Sequence, residues 1–209
     1  MGKNARKSRQ EMQRAAAQVA TTNAVKKKYR TIAWTTMGAI GIAVIVLVSL
    51  SSGGKGSALP RGTLVFSEKD HQHVAGSVKY DHTPPAGGAH NAEWLNCGIY
   101  TRPVPNTNAV HDLEHGAVWI TYRPSVSPLA IAELQQFVTN HYDGPQRYLT
   151  LSPYSGLPAP VVASAWGAQI RLTGPNDPRL AEFVAHFVGG NQGGEQGAPC
   201  TGGIGSPVA

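Results

Sequence analysis

The stretch AVWITYRPSVSPLAIAELQQFVTN, residues 117–140, decides the fold class. Its first six residues, Ala117 to Tyr122, are apolar, β-branched or aromatic, which is the composition of a buried strand. After the Arg123-Pro124 break, Ser127 stands as a helix N-cap and Pro128 fills the first helical position. Ile131, Leu134, Phe137 and Val138 then recur on one helical face. Downstream, Tyr148–Leu151 reads as a strand, Val161–Leu172 as a strand or a pair of strands around Trp166 and Gly167, and Pro178–Val188 as a final helix. Upstream, Thr63–Phe66 is a short strand, while residues 81–108 hold Pro84, Pro85, Gly87, Gly88, Pro103 and Pro105 and read as irregular loop. The order strand–helix–strand–strand–helix predicts an α+β domain over residues 63–190, for which a thioredoxin-like arrangement is one closure.

Directly before the strand lies the run His111-Asp112-Leu113-Glu114-His115-Gly116. If Val110–His115 forms a helical turn, His111 and His115 project from one face at i, i+4, a spacing that lets two imidazoles hold one metal. The run is not H-E-x-x-H, since Asp112 follows the first histidine. Glu114 stands as a third ligand or as an acceptor that fixes a ring tautomer, and His90 and His82 are candidates to complete the sphere. All eight histidines lie beyond residue 70, and six of them (His71, His73, His82, His90, His111, His115) fall within 45 residues. His141 and His186 accompany the two helices and read as surface residues. Two readings stand for the cluster: imidazoles converging on a metal, or buried rings satisfied by Asp112, Glu114 and backbone carbonyls. Beyond the N-terminal segment the chain has no methionine. With its cysteines oxidised it has no soft sulfur ligand, so imidazole and carboxylate point to a transition ion such as copper(II) or zinc rather than Cu(I).

The only cysteines are Cys97 and Cys200. In an oxidising compartment such a pair reads most simply as one disulfide, the alternatives being paired soft-metal ligands or free thiols; the disulfide would pin the Gly-rich tail, residues 191–209, which otherwise has nothing to order it. No CxxC is present.

Charge is divided along the chain. Residues 1–30 hold nine of the 18 basic side chains and one acid, a net +8, whereas the remainder carries −2. A basic globular domain is therefore excluded, and with it the nucleic-acid partner that an overall +6 would suggest. Between the two parts runs an uncharged apolar segment, residues 31–50, with Trp34 near its basic end. Roughly twenty such residues match the ~30 Å hydrocarbon core of a bilayer. Lys26, Lys27, Lys28 and Arg30 immediately precede it, which places the N-terminus in the cytoplasm and the body on the far side. The expected organisation is a basic cytoplasmic tail (1–30), a single transmembrane anchor (31–50), a Gly/Ser linker (51–62), the α+β domain and the Gly-rich tail. The alternative, a cleaved signal, sits poorly with so long a leading segment.

The runs PPAGGAH (84–90), GIY (98–100) and AVHDLEHGAVWITYRP (109–124) resemble the family known as domain of unknown function 3105, whose pattern is PPxSGxH, Gly-x-Tyr and vHxLEHGxVxxxYxP. Gly87 stands where that pattern has Ser. The resemblance implies a single-span bacterial membrane protein with an exported domain, and singles out His90, His111, Glu114 and His115. It supplies a site and no activity.

No nucleophile elbow, phosphate loop or dinucleotide fingerprint occurs. The sequence leans away from turnover and towards a metal-binding protein anchored in the lipid bilayer. The other readings are a non-catalytic accessory subunit of a membrane complex, and a metal-dependent hydrolase or oxidase with Glu114 or Asp112 as general base.

Overall fold

The computed structural model describes residues 58–141 and 148–208. The basic tail, the apolar run and the linker up to residue 57 lie outside the described residues. Among the described residues no helix is long and apolar enough to cross a membrane.

The expected central strand is β3, Val118–Tyr122, with all five residues buried. A strand buried on both faces needs apolar or internally bonded side chains throughout, and β3 divides them by the period of two. Val118, Ile120 and Tyr122 enter the main core. On the opposite face, Trp119 joins a second cluster with Leu95, Val110, Leu113 and Trp166, and its indole N–H donates to Ser152 Oγ at 3.0 Å.

From β3 the chain crosses through α2, Pro128–His141, to β4, Leu149–Pro153, which pairs parallel with β3. Ser127 caps α2 as its position predicts, its Oγ accepting the Ala130 N–H at 3.1 Å. Leu134 and Val138 are fully buried on the sheet. The single-or-double alternative at 161–172 resolves as a hairpin, β5 (Val161–Ala165) and β6 (Ala168–Leu172), turned at Trp166-Gly167, where Gly167 adopts φ +67°. β5 pairs antiparallel with β3. The last helix, α3 (Arg179–Phe187), returns Leu180, Phe183, Val184 and Phe187 to the main core. With β1 (Thr63–Val65) and β2 (Gly98–Ile99) at the edges, the sheet runs β1-β6-β5-β3-β4-β2. The domain is thus an α+β mixed sheet with three helices among the described residues.

Two features depart from the expected irregular 81–108 segment. Gly98–Ile99 form β2 by pairing with Thr150–Leu151, and α1 (Asn106–Glu114) starts inside the segment, after Pro105. A two-residue strand carries no periodicity of its own, so only its partner β4 defines it.

The Gly-rich tail is built into the domain. Disulfide Cys97–Cys200 holds it, and a backbone ladder extends the hold: Cys97 N–H donates to Cys200 O (2.8 Å), Asn96 N–H to Ile204 O (2.8 Å) and Val208 N–H to Ile99 O (2.8 Å).

Candidate metal centre

The site lies on the sheet face opposite α2 and α3, where α1 meets the loops. Leu113, Ala109 and Val110 bind α1 to Trp119, which leaves His111, Glu114 and His115 facing away from the sheet. Asp112 serves structure: its carboxylate accepts the Leu95 N–H at 2.9 Å and the Thr150 hydroxyl at 3.1 Å. Burial pushes that carboxyl well above its usual range, against the opposing pull of those two hydrogen bonds.

Two further segments close on α1. A parallel bridge joins His73 to His90, secured by Val74 N–H to His90 O (2.7 Å) and His90 N–H to Gln72 O (3.0 Å). His71 and His73, two apart in extended chain, reach the same side. His71 Nδ1 donates to Glu114 Oε1 at 2.5 Å and stacks on Trp166. Glu114 Oε2 is left facing His90 Nε2 at 2.9 Å and His73 Nε2 at 3.8 Å. One ligand atom from each of His73, His90, His111 and Glu114 lies within 4.8 Å of every other.

Backbone carbonyls fix the ring tautomers. His90 Nδ1 faces Gly88 O at 2.8 Å and His111 Nδ1 faces Asn91 O at 2.6 Å. A carbonyl oxygen only accepts, so each Nδ1 carries the proton, and in the neutral ring each Nε2 presents a lone pair. His90 Nε2 is buried and makes no hydrogen bond of acceptable geometry, although a carboxylate oxygen stands 2.9 Å away. Lone pairs facing lone pairs in a buried site are unfavourable unless a cation or a proton lies between them. Donor separations of 2.9 and 3.8 Å bracket the roughly 3.3 Å expected between tetrahedral ligands at bond lengths of about 2.0–2.1 Å. His111 is held neutral: burial first, then the neighbouring His115, His90 and His73 rings, lower its pKa to about 4, despite the raising effect of the Asn91 carbonyl.

Of the sequence candidates, His90, His111 and Glu114 come together here. His115 lies beside His111, with ring centroids 4.5 Å apart, and belongs to a neighbouring group with Glu195. His82 stands apart, stacked on Phe66 and 3.4 Å from Glu68 Oε1. His71 and His73 complete the cluster without being singled out by the sequence; the signal that could reveal them is the His-x-His spacing at 71–73, which puts two rings on one side of an extended chain. Cys97 and Cys200 also lie close to Asp112, but the disulfide removes them as ligands.

No curated protein and no solved structure matches the chain. The model of the family described as protein of unknown function (DUF3105) matches residues 71–202, a span that holds every residue of the His/Glu cluster and both cysteines. The chain therefore belongs to that family.

Proposed function

We propose that the protein binds a transition-metal ion, copper(II) or zinc, through His73, His90, His111 and Glu114, with His71 orienting the carboxylate. The observation that carries this reading is the buried, unbonded His90 Nε2 facing Glu114 Oε2 at 2.9 Å, with a ligand atom of His73 and of His111 within 4.8 Å of both residues' ligand atoms. Three imidazoles and a carboxylate suit either ion. Carbonyl acceptors on Nδ1 are the usual means of orienting metal-binding histidines. The scaffold is read as thioredoxin-like, supported by the β4-β3-β5-β6 order with its α2 crossover.

The working context is proposed to be the extracytoplasmic side of a membrane. The basic residues 1–30 and the apolar run 31–50 act as a single-pass anchor in the lipid bilayer, and the disulfide accords with an oxidising compartment. The half-exposed His71 and His73 leave one edge of the cluster within reach of solvent, which favours metal exchange or, as a second reading, metal-dependent hydrolysis or oxidation. An accessory role in a membrane complex would use the same domain without metal.

Metal analysis of the detergent-purified full chain decides among them. One tightly held equivalent of copper or zinc, its affinity lowered about tenfold or more in His90→Ala and in Glu114→Gln, is expected. A folded protein that takes up neither ion and melts identically with and without chelator would overturn the metal reading and leave the accessory role.

A further inference from the structure

The buried His115 and its partner Glu195 are not used by the first cluster. His115 is buried at the C-cap of α1. Its Nδ1 faces Pro199 O at 2.8 Å, so Nδ1 carries the proton. In the neutral ring its Nε2 then presents a lone pair towards Glu195 Oε2 at 3.2 Å, Glu195 being half exposed. His111, His115 and Glu195 each place a ligand atom within 4.8 Å of the others. His111 thus belongs to both groups. Its Nδ1 is committed to Asn91 O, so the ring has a single nitrogen, Nε2, to give, and one nitrogen ligates one ion.

From this geometry we infer that His111, His115 and Glu195 form a second seat for the same metal ion, alternative to the first, with His111 as the shared pivot. The inference rests on the metal-binding reading of the first cluster. The two seats exclude one another because they compete for His111 Nε2, so the protein holds one ion in two positions rather than a pair. The second carboxylate comes from the C-terminal segment, held close by Cys97–Cys200 and half-exposed at its side chain. Occupancy of this seat therefore depends on a segment that sequence distance alone would not connect to α1.

The test uses the full-length protein in detergent, Zn(II) titration, and Cu(II) electron paramagnetic resonance. The wild type should bind one equivalent. Glu195→Gln should leave wild-type affinity within about twofold, because the four-ligand seat dominates, yet weaken Zn(II) about tenfold or more in a His73→Ala/His90→Gln background, where only the second seat remains. An equal effect of Glu195→Gln in both backgrounds would mark a mere field effect of the lost charge and overturn the inference. So would two equivalents in the wild type, or loss of all binding in the His73→Ala/His90→Gln protein while its fold persists; this last result leaves the first cluster intact as a site. A wild type that binds no ion overturns both readings. Should the double background fail to fold, His73→Ala alone, a change at a half-exposed side chain, serves. Its Cu(II) spectrum should contain two overlapping signals that collapse to one when Glu195→Gln is added, and a single unchanged signal would again overturn the second seat.

Discussion

His111 is a buried ring that the fold holds neutral. Its pKa of about 4 in the folded state lies below the ordinary 6.5, so between these values the unfolded chain binds more protons than the native one. Stability then rises with pH through that interval and is lost as the pH falls from 6.5 towards 4. The expected outcome is a melting temperature of the metal-free protein that declines on acidification from pH 7 to 4.5, with a shallower decline in His111→Gln; thermal unfolding monitored by circular dichroism checks it. The neutral ring that makes the protein acid-sensitive is also the form the proposed metal would need. At this scale part of the His/Glu cluster is legible in the sequence. His111, Glu114 and His115 sit within five residues on a helix whose period can be read locally, and His90 lies in a run that the family pattern marks. His71 and His73 reach Glu114 only through the bridge to His90, a pairing between loop segments with no periodicity to betray it. His82, a candidate from its place in the Pro/Gly-rich loop, instead stacks on Phe66 and faces Glu68.

Elements with a strong internal signal are legible almost to their ends: β3, α2 with its Ser127 cap, β4 and α3, whereas at 161–172 the sequence leaves one strand or two open. The short β2, and the start of α1 after Pro105 without a side-chain cap, are not legible, since both depend on distant partners. The junctions carry their own tests. Asp177 closes the turn before α3: its Oδ1 accepts the Arg179 backbone N–H and Nε (3.2 and 2.9 Å), and its Oδ2 accepts the Thr173 N–H at 3.2 Å and the Arg179 Nη2 at 2.6 Å. The Arg179 guanidinium is the main reason its carboxyl lies well below the ordinary 3.8. Asp177→Ala should cost about 1–2 kcal/mol in urea unfolding at neutral pH. A depressed folded pKa gives stability that is present above the unfolded value and lost as the pH falls towards the folded one, so this difference should shrink below pH 3.8. Gly193 marks the second junction, where the tail crosses α1. A Cβ there would overlap the Glu114 backbone, and neither main chain can move aside freely. Gly193→Ala is expected to destabilise by about 1–3 kcal/mol and, because it displaces the Glu114 main chain, to weaken Zn(II) binding in the same preparation. Unchanged affinity would mean that the tail and the cluster are mechanically independent.

For the molecule as a whole, the charge that first suggests an anionic partner belongs to residues 1–30, outside the described domain, while the domain's own organisation depends on its tail. The tail crosses α1 at Glu114, supplies Pro199 O to His115, and runs on to Val208 against β2. Yet from Gly189 onward it has too few apolar residues to bury itself. What retains it is the covalent bond at Cys200 together with the backbone ladder beyond it. Cys97 and Cys200 are 103 residues apart, so the bond restricts the unfolded chain over most of the domain, by up to about 4.7 kcal/mol on the loop-entropy account. Reduction, or Cys97→Ser with Cys200→Ser, should therefore lower unfolding stability by about 2–5 kcal/mol. The same change should have unequal effects on the two carboxylate-bearing groups. His90 and His111 take their orienting carbonyls from Gly88 and Asn91, which the bond does not hold, whereas Pro199 and Glu195 lie within five residues of Cys200. Below the melting temperature, the reduced protein should keep its first-cluster Zn(II) affinity but lose protection of the Cys200 and Ile204 region from hydrogen exchange. Retained protection throughout residues 191–208 after reduction would show that the ladder alone holds the tail, with the disulfide acting only on the unfolded chain.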